Sequence, residues 1–190
     1  MSELIRYMVY LENEKYFPKD ATSILSLSRK ILHDDKIVIR DVRVANHFLE
    51  FDISTPTPSE IEKIKSKLSL ISPIIEIDNI IETDLDKKES IKLARKLFNN
   101  EKYWRTHEVL EGTWKHTQGD EKVLLNGIIL VAAALVHYQK GELEICISIM
   151  KRALSKLNNS YGKYLDIDID SLKNEITDIV KSIKVSKFRI

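Results

Sequence analysis

Between Glu121 and Gln139 the chain is apolar almost all the way round a helix. Ile128, Ile129, Leu130, Val131, Ala132, Ala133, Ala134, Leu135 and Val136 follow one another without a charge. A helix with no polar face must be covered on every side, so it takes the middle of a bundle or a subunit interface. The stretch from Gly127 to Val136 is far short of the ~20 apolar residues that a membrane span needs. The chain therefore reads as a soluble protein without a membrane partner, and a homo-oligomer is the second arrangement that this helix allows. Asn126 and His137 interrupt the apolar run. At about 100° per residue they return to within about 20° of one direction, so they share a face.

The period is helical from the late eighties onward. Helices are expected over 87–98, 101–117, 121–139, 142–158 and 170–185, punctuated by Asn99-Asn100, Gln118-Gly119-Asp120 and Lys140-Gly141. Asp120 and Asp170 have the character of N-caps. Short connections make neighbouring helices antiparallel.

The first 83 residues switch period repeatedly. Leu4–Glu12 alternates Ile5, Tyr7, Val9 and Leu11 with Arg6, Met8, Tyr10 and Glu12, as a half-buried strand does. Asp20 then precedes a helix with Ile24, Leu27, Ile31 and Leu32 in one stripe. Lys36–Ala45 and His47–Ile53 form a strand pair around Asn46. A Pro-rich start, Thr55-Pro-Thr-Pro-Ser, leads into a helix with Ile61, Ile64, Leu68 and Ile71 inward, and Ile74–Ile81 is a last strand. The order β-α-β-β-α-β is that of a ferredoxin-like domain. The fold class is therefore α+β: a ferredoxin-like βαββαβ domain over 1–83, a charged linker over 84–89, and an all-α helical bundle over 90–190.

The expected solvent face of that sheet carries Arg6, Tyr10, Phe48, Glu50 and Asp52, with Glu76 or Asp78 nearby. An RNA platform needs stacked aromatics in a basic setting. The carboxylates around Phe48 and Tyr10 oppose that. Pairing of Glu50 and Asp52 with Arg6, Arg40 or Arg43 is the ordinary alternative. Charge agrees: 30 Lys/Arg against 29 Asp/Glu, net +1, gives no footprint for a polyanion, so nucleic acid is disfavoured. One cysteine, Cys146, excludes an internal disulfide framework and fits a reducing, cytoplasmic setting. Few Gly and Pro, 5 and 4, beside abundant Ile, Lys and Glu point weakly to a thermophile.

The chemistry-bearing stretch is His107-Glu108-Val109-Leu110-Glu111-Gly112-Thr113-Trp114. On a helix His107, Leu110, Glu111, Trp114 and Trp104 fall inside one arc of about 120°. Ionisable groups among tryptophans and a leucine need partners to be buried. With Asn126 and His137 from the next helix they form a candidate polar pocket of His107, Glu108, Glu111, Trp114, Asn126 and His137. A divalent metal would take His107, Glu111 and His137, with Glu108 or water completing the shell. A carboxylate–imidazole couple would serve general acid–base chemistry. Against both, Arg105 and Lys115 lie within helical reach of Glu108 and Glu111, and a satisfied polar network often does no more than specify a core. The stretch lacks the second histidine of the zincin signature.

Residues 98–157 resemble the domain of unknown function numbered 309. The resemblance rests on Phe98-Asn99-Asn100 with Tyr103-Trp104, His107-Glu108-Val109-Leu110-Glu111 with Trp114, and Leu125-Asn126-Gly127-Ile128-Ile129. It continues through Ala132–Ala134, His137, Lys140-Gly141 and Arg152-Ala153-Leu154. It implies a compact helical domain with the His-Glu and second His positions facing inward, and an N-terminal part like the extension of archaeal members. It supplies no activity. The expected function is a non-catalytic binding or regulatory module with a buried His/Glu network. The alternative is a metal- or acid–base-dependent hydrolase using His107, Glu108, Glu111 and His137.

Overall fold

The structure is a computed structural model and describes residues 4–34, 36–81 and 85–190. It divides into two compact units, Met1–Thr83 with Gln139–Gly141, and Asp84–Tyr138 with Glu142–Ile190.

The first unit runs β1 (Ile5–Glu12), α1 (Ala21–Leu32), β2 (Val38–Val44), β3 (Phe48–Thr55), α2 (Ile61–Leu68), β4 (Ile74–Asn79). The strands form one sheet in the order β2-β3-β1-β4, with every neighbouring pair antiparallel. Tyr7, Val9 and Leu11 of β1, with Leu49, Phe51 and Ile53 of β3, share one hydrophobic core with Ile24 and Leu32 of α1 and Ile64 and Leu68 of α2. The buried stripe of α1 is Ala21, Ile24, Ser28 and Leu32; Leu27, expected inward, is exposed.

The other sheet face departs from expectation. The sequence pattern placed it in solvent, but Met8, Tyr10, Arg43, Glu50 and Asp52 are all at or below 3% exposure. Alternation of polar with apolar residues was the only sign of exposure, and pairing removes its force. Arg6 grips Asp52 through Nε at 2.8 Å and Nη2 at 2.6 Å. Arg43 Nε donates to Glu50 Oε1, and its Nη1 lies 3.4 Å from Asp41 Oδ2. Tyr10, Glu50 and Arg43 stand opposite one another across three strands. Burial first, and Glu50 second, push the Tyr10 phenol well above its ordinary range. Tyr10 and Phe48, which a base could have bridged, meet edge-on at 5.3 Å. Arg40 lies at a register shift between Ile39 and Asp41. Its Nε donates to Ser54 Oγ at 2.6 Å rather than to a carboxylate.

The second unit holds α3 (Lys87–Asn99), α4 (Tyr103–Lys115), all but the last residue of α5 (Gly119–Gln139), α6 (Leu143–Leu157), a small hairpin of β5 (Lys163–Tyr164) and β6 (Ile167–Asp168), and α7 (Ile169–Ser182). The start of the expected 84–89 linker falls outside the described residues. Asp86 already caps α3, its carboxylate accepting from the Glu89 amide at 2.8 Å.

Of the two placements open to the apolar helix, α5 takes the bundle centre: Leu125, Ile128, Val131, Ala132, Ala134 and Leu135 are at or below 1% exposure. Gly127 permits the approach of α6, since a Cβ there would lie 2.6 Å from Leu157 Cγ. Two cap assignments are corrected. Asp120 sits inside the first turn of α5, which begins at Gly119. Asp168, not Asp170, caps α7 by accepting from the Ser171 amide, while Asp170 accepts from the Gly162 amide at the hairpin. Among the described residues no helix is long and apolar enough to cross a membrane.

Candidate functional site

α4 turns its core side through Tyr103, Thr106 and Leu110. That places the centre of the buried arc about 70° from His107. His107, Glu111 and Trp104 therefore lie on the flank of the buried face. The side chains of His107 and Glu111 keep 24% and 46% of their exposure, so the inward orientation expected for them is corrected to a half-buried rim. Leu110, on the inner side of the arc, is fully buried.

On that rim the His107 imidazole stacks on the Trp104 indole, with centroids 5.6 Å apart and planes 8° from parallel. Its Nδ1 is shielded from water and makes no hydrogen bond. Glu111 Oε2 is 4.0 Å from it, beyond hydrogen-bonding distance. Glu108 instead receives Arg105 Nη1 at 3.0 Å, the helix-surface pair that the spacing allowed. Trp114 is committed to structure. Its Nε1 donates to the Lys122 carbonyl at 3.1 Å, and the Lys122 ammonium sits 4.5 Å over its ring. These contacts tie the end of α4 to the first turns of α5.

Asn126 is half-buried on α5. His137 occupies the last turn of that helix, where its Nδ1 pairs with Glu142 Oε2. The backbone repeats the link, the Glu142 amide donating to the His137 carbonyl at 2.9 Å. The expected metal set of His107, Glu111 and His137 is not assembled. Among the described residues no group of three His, Cys, Asp or Glu side chains is placed to hold an ion. The physical reason is local: His137 has its carboxylate partner at the α5–α6 turn, and His107 faces tryptophan.

Sequence reasoning missed Glu142 and the Trp104 stack. Glu142 was detectable as an acidic residue just past the Lys140-Gly141 helix stop, where Gly141 takes φ 79°, opposite a histidine in the final turn. The Trp104–His107 stack was detectable from the i,i+3 spacing.

Residues 91–149 match DUF309, the domain of unknown function. The match runs from within α3 to the middle of α6 and contains all six candidate residues. An uncharacterized protein of Aquifex aeolicus (strain VF5) is 25% identical over 93 residues, which are 48% of this chain. The chain spans about 28% of that relative's length. A conserved hypothetical protein of Thermus thermophilus, known from a crystal structure, is 28% identical with a TM-score of 0.42. That likeness covers 52% of this chain and 99% of the other. The DUF309 segment thus holds the Trp104–His107 stack and the His137–Glu142 pair within one run of helices.

Proposed function

We propose that this protein is a non-catalytic binding or regulatory module, and that the Trp104–His107–Glu111 rim of its DUF309 segment is the recognition surface. The observation that carries this reading is the parallel Trp104–His107 stack beside the half-exposed Glu111 carboxylate. Glu108, Trp114 and His137 are each engaged by Arg105, Lys122 and Glu142, which favours a structural role for them. The rim sets a flat stacked pair beside a half-exposed carboxylate. Such a surface suits a cationic, planar group such as a guanidinium, which stacks on aromatic faces and pairs with a carboxylate. A ferredoxin-like assignment for the first unit is supported by the strand order β2-β3-β1-β4 with α1 and α2 as its two crossovers. A cytoplasmic location is supported by the single, buried thiol.

The test has two arms. An arginine-containing probe peptide is titrated while the Trp104 indole resonance is followed by NMR. A saturable shift that Glu111→Gln weakens supports recognition at the rim. In parallel, chromogenic ester, phosphoester and peptide substrates are offered to the wild type and to His107→Ala. Equal background in both is expected. Turnover that disappears with His107 would instead establish the hydrolase reading.

A further inference from the structure

The last turn of α7 ends at Ile183, which takes φ 55° while its amide donates to the Ile179 carbonyl at 2.9 Å. A β-branched residue in the left-handed region is strained and persists only where its surroundings hold it. Here it redirects the chain into a segment without regular structure, residues 184–190. In that segment Phe188 and Ile190 are buried, at 7% and 8% exposure, while Lys187 and Arg189 face out.

The segment lies on the elbow between α3 and α4. The Asn99 side-chain amide reads the backbone of Ile190 at two points: Oδ1 accepts from the Ile190 amide at 2.9 Å, and Nδ2 donates to its carbonyl at 3.2 Å. Arg95 Nε donates to the same carbonyl at 2.7 Å. Phe188 packs on Phe98 with centroids 5.3 Å apart, and Phe98 meets Tyr103 edge-on at 5.0 Å. Lys187 Nζ lies 3.5 Å from Glu101 Oε1. Glu101 is almost fully buried and itself takes φ 62°. Backbone hydrogen bonds, an aromatic cradle and one charge pair are the parts from which sites for extended peptides are made.

We propose that the α3–α4 elbow is a binding site for an extended peptide of the pattern basic–aromatic–x–aliphatic, and that residues 187–190 are its resident ligand, bound in cis. The site reads Lys187 through Glu101, Phe188 through Phe98, and the Ile190 backbone through Asn99 and Arg95. Arg189 points away and is not read. The left-handed Ile183 is the hinge, and release of the tail relieves its strain.

The test uses the full chain and a fluorescein-labelled peptide of residues 184–190, Lys-Val-Ser-Lys-Phe-Arg-Ile, followed by anisotropy. The double variant Phe188→Ala/Ile190→Ala removes the anchors of the resident tail and leaves the elbow intact. It is expected to bind the peptide at least ~10-fold more tightly than the wild type, because a tethered tail competes at an effective concentration on the order of mM. Adding Asn99→Ala to the double variant should weaken binding ~10-fold through loss of the two backbone hydrogen bonds. Lys187→Glu, which keeps the anchors and sets two carboxylates together, is expected to fall between wild type and double variant, and it covers the case in which the double variant does not fold. If neither a folded double variant nor Lys187→Glu binds more peptide than the wild type, the tail is a fixed part of the core and the proposal is overturned. Binding that is unchanged by Asn99→Ala would overturn the assigned site.

Discussion

The imidazole of His137 and the carboxylate of Glu142 meet across the turn between α5 and α6, Nδ1 to Oε2, above a backbone hydrogen bond between the same two residues. One residue closes a helix and the other opens the next, so their pairing fixes the angle at which the chain reverses. Both side chains are about one-third exposed, at 33% and 35%. His137→Ala and Glu142→Gln should each cost about 0.5–1 kcal/mol, the range of partly solvated pairs. For a chain of this size that lowers the midpoint by about 1–4 °C. A double-mutant cycle by thermal denaturation checks it, and strictly additive losses would show that the pair carries no coupling.

Arg43 is the largest fully buried side chain of the first unit, and three carboxylates face it. Arg43→Met removes one member of the pair and strands Glu50, which should cost about 3–5 kcal/mol. The joint replacement Arg43→Met/Glu50→Leu should recover most of the loss, because a buried pair exchanged for apolar residues is close to neutral. Urea denaturation of the single and double variants decides the point. A double variant no more stable than Arg43→Met would mean that Asp41 and Asp52 also depend on the guanidinium.

Gly127 sets the distance between α5 and α6. Gly127→Ala places a methyl against the branched end of Leu157 and should destabilise by about 1–3 kcal/mol as overpacking. Leu157→Ala alone opens a cavity and should cost about 2–5 kcal/mol. Combined, each change makes room for or fills the other, so the double variant should lose less than the sum. Full additivity in denaturant melts would show that the helices shift apart instead.

Cys146 is fully buried, and desolvation pushes its thiol from 9.0 up to about 12. The unfolded chain releases this proton near pH 9 and the folded chain keeps it to about pH 12. Its contribution is therefore intact below the lower of these values and is lost as pH rises between the two. Cys146→Ala should flatten the fall of stability over that window. In the native protein at about pH 8 the thiol should react with Ellman's reagent only at the rate of opening; reaction at the rate of a free thiol would contradict its burial.

The order of elements was legible because hydrophobic period changes sharply, from two in Leu4–Glu12 to helical beyond Lys87. The apolar run Ile128–Val136 showed that α5 must be covered on every side, and its burial at the bundle centre came from the structure. The hairpin at Lys163–Tyr164 and Ile167–Asp168 escaped because two-residue strands carry no period. The buried rear of the sheet escaped for a different reason. Arg43, Glu50 and Asp52 signal solvent one at a time, and only their mutual register shows that they neutralise each other. At the candidate site the spacing set the inward arc of α4 about 70° away from its true centre, and of the expected residues only Leu110 is buried. Thr106 and Leu110 draw the helix inward and leave His107 and Glu111 on its shoulder. No spacing within α4 and α5 could have supplied Glu142, since the partner of His137 stands beyond a turn.

The strand order has a consequence for synthesis. β1 is made first yet lies between β3 and β4, so its first hydrogen-bonded neighbour does not exist until Phe48 has been added. During that interval Tyr7, Val9 and Leu11 have no sheet to join, and long-range pairing of this kind is slow and exposed to misassociation. The nascent chain thus leaves the ribosome with the apolar face of β1 unpaired, and α1, the next long element in the chain, is the earliest able to cover it.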